Sequence, residues 1–136
     1  MTRRANPSRG EVPEHVVEAI RQICDALPGT VEEPAWTGVR WRTGKHTYAH
    51  VVHIENGWPT AYAREAGTPG PADVLTVRAA DLDLDALSAI GFPFFRPAWG
   101  TTWNPGVLGV ILTAATNWDE IAELIGDSHN LYRSTH

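Results

Sequence analysis

Residues 31–60, VEEPAWTGVRWRTGKHTYAHVVHIENGWPT, decide the fold. Trp, Val, Thr and Tyr recur there in short runs broken by Gly and Pro, a composition that suits antiparallel strands. Working outward from that stretch, strands are predicted over 32–36, 39–42, 47–55, 60–64 and 74–78. Thr43-Gly44 and Asn56-Gly57 stand between consecutive runs, and an Asn-Gly pair tolerates the two positive-φ positions of a tight hairpin turn. Residues 65–72, EAGTPGPA, hold two Gly and two Pro and read as a loop.

Helical patterns flank this region. Upstream, Val16, Val17, Ile20, Ile23, Cys24 and Leu27 form one stripe at helical spacing; Pro13 suits a first turn and Pro28-Gly29 a stop. Downstream, Asp81, Asp83 and Asp85 predict the opening of a short helix that carries Leu84, Leu87 and Ile90 and ends at Gly91. Residues 92–106, FPFFRPAWGTTWNPG, have no clean period. Residues 107–112 are a continuous apolar run of strand length. Asn117 and Glu120 stand at capping-box spacing before a last helix, with Trp118, Ile121, Ala122 and Ile125 facing inward. The expected class is α+β, a two-layer sandwich whose antiparallel meander sheet carries the N- and C-terminal helices on one face. The other face is expected to be open. Residues 1–10 read as a disordered leader and 11–136 as one domain.

Composition removes several functions. A single Cys in 136 residues excludes a disulfide framework within the chain and fits the cytoplasm. No apolar run approaches the roughly 18 residues of a membrane span, so no membrane partner is expected. The formal net charge of −5 argues against a simple nucleic-acid binder. The charge is unevenly placed, however. The first helix holds Glu11, Glu14, Glu18 and Asp25 against Arg21, whereas 36–64 hold Arg40, Arg42, Lys45 and Arg64 against Glu55. One mildly basic sheet face is the expected result, suited to phosphate, nucleic acid or an anionic small molecule, or serving only solubility.

No catalytic constellation stands out. His50 and His53 lie three apart in an extended strand and point to opposite faces, so they do not share a metal. His46 and His50 are expected to share a face with Tyr48. Cys24, inside an apolar stripe, reads as a small buried hydrophobe. Ser128-His129 lacks the Gly-x-Ser-x-Gly setting of a nucleophile elbow, and no Gly-rich loop for phosphates is present. No cofactor and no enzymatic role are expected. The aromatic residues carry more information, with six Trp in the chain. Rings interleaved with Arg stack bases or line a pocket for a planar ligand. Two candidate sites follow. One is a nucleic-acid face of Arg40, Arg42, Lys45 and Arg64 with Trp41 stacking. The other is a pocket of Trp36, Trp41, Tyr48, Arg96, Trp99 and Trp103.

In order along the chain, ALPGTVEEPAWTGVRWRTGKHTYAHVV (26–52), LTVRA (75–79), GFPFFRPAWG (91–100), GVLGVILT (106–113) and NWDEIAELIGDSHNL (117–131) resemble the MmcQ/YjbR family. The resemblance spans 13–131. It implies a CyaY-like fold, a meander sheet flanked by helices, and DNA as a partner by fold analogy. Two places depart from the family pattern. Residues 131–136 read LYRSTH where members carry a basic ending, and Pro105-Gly106-Val107 replaces Gly-Trp-Val. The expectation is therefore a cytoplasmic, monomeric, non-enzymatic binding domain. Its ligand is DNA, or an aromatic or anionic small molecule, and a protein-interaction or dimerisation role is the third possibility.

Overall fold

The computed structural model describes residues 11–133; the leader expected over 1–10 lies outside the described residues. The elements in order are α1 (Glu14–Asp25), β1 (Thr30–Pro34), β2 (Val39–Thr43), β3 (His46–Ile54), α2 (Thr60–Ala66), β4 (Ala72–Ala79), α3 (Asp81–Ile90), β5 (Phe94–Phe95), a 3-10 turn (Ala98–Gly100), β6 (Gly106–Leu112) and α4 (Trp118–Arg133). The six strands form one sheet in the order β1-β2-β3-β4-β6-β5, with every pairing antiparallel. This is the α+β meander the sequence predicts.

Alternation along the strands sorts the side chains into two layers. Trp41, Ala49, Val51, Leu75, Val77, Leu108 and Val110 point to the layer that also receives Val17 and Ile20 of α1, Leu84 of α3, and Ile121 and Ile125 of α4. Fully burying each such aliphatic side chain contributes about 1.5–3 kcal/mol, which makes this the main core. Asn117 Oδ1 accepts from the backbone N–H groups of Asp119 and Glu120 at 3.1 and 3.2 Å, so the expected cap of α4 forms. The helix α3 differs in detail. Its N-cap is Ala80 with no side-chain cap bond, and Asp81 and Asp83 lie inside the first turn, where they meet the positive end of the helix dipole.

Three expectations need correction. Residues 60–64 are helical, not a strand. Asn56 (φ 53°) and Gly57 (φ 74°) do turn the chain tightly, and Glu55 bridges Trp58. Pro59 then has no N–H to continue a ladder, and it precedes TAYAREA, whose Ala, Arg and Glu favour helix until Gly67 closes it in the left-handed region at φ 74°. The second correction is that the outer face is only half open. Tyr62 of α2 packs on Val52, Ile54 and Val74, with Phe95 and Trp99 beside them, forming a second, smaller core.

The third correction concerns β3. Val39, Arg40 and Trp41 pair with Val51, His50 and Ala49, but Arg42 pairs with Thr47, leaving Tyr48 as an extra residue. This β-bulge re-aims the strand, because two successive residues then oppose one partner. His46, Tyr48 and His50 consequently do not share a face. The His46 ring stacks on Tyr132 of α4 at 4.4 Å between centroids, Tyr48 enters the main core, and His50 faces outward over the sheet.

Candidate functional site

The uncovered half of the outer face forms a cleft of about 280 Å³. Its floor is built from Thr47 and His50 of β3 with Thr76 and Arg78 of β4, and Val107 of β6 closes one end. Arg40 rises from β2, Trp36 from the β1–β2 turn, Tyr62 from α2, Trp99 from the 3-10 turn and Trp103 from the loop that follows it. Four aromatic rings thus arrive from three separate parts of the chain.

These rings touch in sequence. Trp36 meets Trp58 edge-to-face at 5.9 Å and Tyr62 at 6.4 Å. Tyr62 meets Trp99 at 5.4 Å, and Trp99 meets Trp103 at 5.6 Å. The Arg78 guanidinium sits 4.7 Å from the Trp103 ring centroid, a cation–π contact, and its Nη1 donates to the Pro105 carbonyl at 2.7 Å. Trp36 remains 70% exposed and Trp103 46%, so both present apolar surface at the rim.

The polar groups of the floor are held in defined states. His50 Nε2 lies 2.8 Å from the Thr37 carbonyl, so it carries the proton and donates; Nδ1 is then left to accept from the Tyr62 hydroxyl at 3.4 Å. Burial pushes the His50 imidazole pKa down, which keeps this neutral arrangement. Burial likewise pushes the Tyr62 phenol up to about 12, so it stays a donor. Arg40 donates to Glu33 through Nε at 2.7 Å, and Arg42 Nε lies 3.2 Å from the same carboxylate. Hydrogen bonding, chiefly from Arg40, holds the Glu33 carboxyl below its ordinary range. Among the described residues, no carboxylate lies within salt-bridge distance of Arg78. Among the described residues lining the cleft, Arg78 is a cation with no carboxylate partner.

The opening at this end of the sheet has a specific cause. The β3–β4 ladder stops at Ala49↔Val77, because the bulge at Tyr48 takes the strand out of register. The Ser128 hydroxyl of α4 fills the gap. It donates to the Tyr48 carbonyl at 2.6 Å and accepts from the Arg78 backbone N–H at 2.9 Å. Beside it, His129 Nε2 donates to the Pro28 carbonyl at 2.7 Å, and its ring stands edge-on to Tyr48 at 5.0 Å. Ser128 and His129 are thus structural ties. Cys24 is fully buried in the main core, and burial pushes its thiol up to about 12.

The candidate residues separate accordingly. Of the expected pocket set, Trp36, Tyr48, Trp99 and Trp103 border the cleft. Tyr48 does so from the main core, with its hydroxyl 2.7 Å from Thr30 Oγ1. Arg96 lies elsewhere, with Nη1 on Asp85 of α3 at 3.1 Å, because β5 turns it toward that helix. Trp41 has no exposure and its indole N–H donates to Glu32 at 3.1 Å, so it cannot stack on a base. Of the expected cations, Arg40 and Arg42 converge on Glu33, Arg64 pairs with Glu65 at 3.1 Å, and Lys45 is exposed at the β2–β3 turn. Tyr62, His50, Thr47, Thr76 and Arg78 are cleft residues that sequence reasoning did not select. A helical reading of 60–66 would have signalled Tyr62; the bulge that aims the rest has no sequence signature.

Fold and site together define a small α+β domain with an aromatic cleft on the outer face of one sheet. The YjbR family profile matches residues 25–131, and the chain belongs to the YjbR family. A solved structure of a protein from Pseudomonas syringae, a structural-genomics target, has a similar fold. It has 16% sequence identity and a TM-score of 0.59, with 88% of this chain and 97% of that chain covered. No curated protein matches the chain. Among the described residues, no helix is long and apolar enough to cross a membrane.

Proposed function

We propose that this YjbR-family chain is a non-enzymatic binding protein that takes a small planar organic molecule in the outer-face cleft. One observation carries the reading: Trp36, Tyr62, Trp99 and Trp103 converge, from distant parts of the sequence, around a polar floor. Concave, mostly apolar sites with a few convergent polar groups are the ordinary form of a ligand pocket, and about 280 Å³ suits a ligand of one or two rings. Nucleic acid, which the family resemblance implied, finds less support. Arg40, Arg42 and Arg64 are engaged by carboxylates and Trp41 lies in the core.

The test is a library of planar fragments screened by tryptophan emission and melting temperature. A ligand that binds only the folded state raises the melting temperature by mass action. Hits are expected to shift both signals, and Trp36→Ala, at an exposed position, is expected to weaken them. A library that moves neither signal overturns the proposal. Retardation of duplex DNA at low salt, unaffected by Trp36→Ala and weakened by Lys45→Gln, would favour the nucleic-acid face instead.

A further inference from the structure

The cleft's charge and shape narrow its ligand further, given the reading that a small molecule occupies it. We infer that the cleft selects a flat aromatic anion, a one- or two-ring system with a single carboxylate or phosphate, whose ring lies among Trp36, Tyr62 and Trp99 and whose anionic group meets Arg78.

Aromatic boxes by themselves favour cations, because each ring presents a negative face. Here that preference is already met from within. The Arg78 guanidinium occupies the Trp103 face at 4.7 Å, and a second cation would have to approach it. Arg78 is also held in place. Nη1 is fixed to the Pro105 carbonyl, and its own backbone N–H is fixed by Ser128. A guanidinium so oriented, with no carboxylate within reach among the described residues, is a preorganised partner for a planar anion. Arg40, the other cleft cation, shares the Glu33 carboxylate with Arg42, so that cluster is half neutralised and keeps the same sign as Arg78.

The remaining floor groups agree in sign. His50 is neutral, with one nitrogen donating to Thr37 and the other accepting from Tyr62, so it offers neither a cation nor a free acceptor. Thr47 presents a hydroxyl capable of donating to an oxyanion, whereas the Thr76 hydroxyl donates to the His50 carbonyl at 3.4 Å. Among the described residues, no carboxylate lines the cleft. The ligand's charge is therefore set by Arg78, and its flatness by the rings.

Isothermal titration of the full chain with four matched probes tests this: 2-naphthoate, 2-naphthyl phosphate, the neutral 2-naphthalenemethanol and a naphthylmethyl-trimethylammonium cation. The two anions are expected to bind at least about tenfold more tightly than the alcohol, the scale of one hydrogen bond to a charged group. The cation is expected to bind weakest, and comparison of the two anions tells carboxylate from phosphate. Arg78→Gln should remove most of the anions' advantage over the alcohol, and Arg78→Lys should restore part of the difference. Equal or tighter binding of the alcohol or cation by the unmodified protein overturns the inference, with no dependence on how the variants fold. Binding of library fragments but none of these probes overturns the inference alone. Failure of both screens overturns the small-molecule reading as well.

Discussion

At the scale of single residues, Ser128 does the most with the fewest atoms. Its hydroxyl satisfies one carbonyl and one N–H that the β3–β4 ladder leaves unpaired beside the Tyr48 bulge. Ser128→Ala leaves both backbone groups buried without partners, which costs about 1–3 kcal/mol each before relaxation. We expect a drop in chemical-denaturation stability on that scale. Cleft-ligand affinity should fall with it, because Arg78 is anchored through the same hydroxyl; an unchanged denaturation midpoint would contradict this role. The sequence shows Ser128 only as a polar residue on a helix. Its function depends on a strand 80 residues away, and spacing along the chain does not encode that meeting. Trp41 teaches the same lesson in reverse. Placed between two arginines it suggests a solvent-facing ring, yet alternation with Arg40 and Arg42 puts it wholly in the core.

At the scale of elements, β5 and α2 close the outer face and leave the cleft as the remainder. β5 pairs for two residues only, Phe94↔Val110 and Phe95↔Gly109, and its two rings part to opposite layers. Gly109 has room for no side chain, since a Cβ there would run into the Phe95 ring. Gly109→Ala is therefore expected to destabilise by about 1–3 kcal/mol through overpacking, with thermal unfolding as the readout. The helix α2 was hidden from sequence reading by its length. Seven residues are fewer than two full turns of a clear amphipathic pattern, so the T-A-Y-A-R alternation imitates a strand. By contrast α1, with Val16, Val17, Ile20 and Cys24 all buried, is legible because its stripe persists for three turns.

At the scale of the whole molecule, a histidine clamp ties the far end of the sheet and gives stability a pH dependence. His53 Nδ1 lies 2.8 Å from Asp73 and Nε2 lies 2.7 Å from Glu55, with its side chain 11% exposed. Burial opposes the imidazolium, but the hydrogen bonds to Asp73 and Glu55 outweigh it and raise the pKa. The unfolded imidazole titrates at about 6.5. The clamp's stabilisation is thus fully present below that pH and fades as pH rises through the higher folded value. His50, whose pKa is lowered, works in the other direction and loses its contribution as pH falls below the unfolded value. Denaturation curves of the native protein and His53→Gln should converge as pH rises above neutrality. A constant gap across that range would count against the clamp.

The residue order alone carried the α+β class, the meander, both terminal helices and the cap on α4. Each rests on periodicity, turn chemistry or capping, forces that act between residues close along the chain. It also placed Trp36, Trp99 and Trp103 in one candidate pocket, the last two because large rings among Gly, Thr and Pro have few apolar neighbours to bury them. The tertiary structure decided the rest. A one-residue bulge at Tyr48 sends Thr47 and His50 to the outer face, the short α2 delivers Tyr62, and Ser128 holds the strands apart around Arg78. These are long-range meetings of main chain and side chain, and the balance of many distant contacts sets them, so no local pattern announces the cleft.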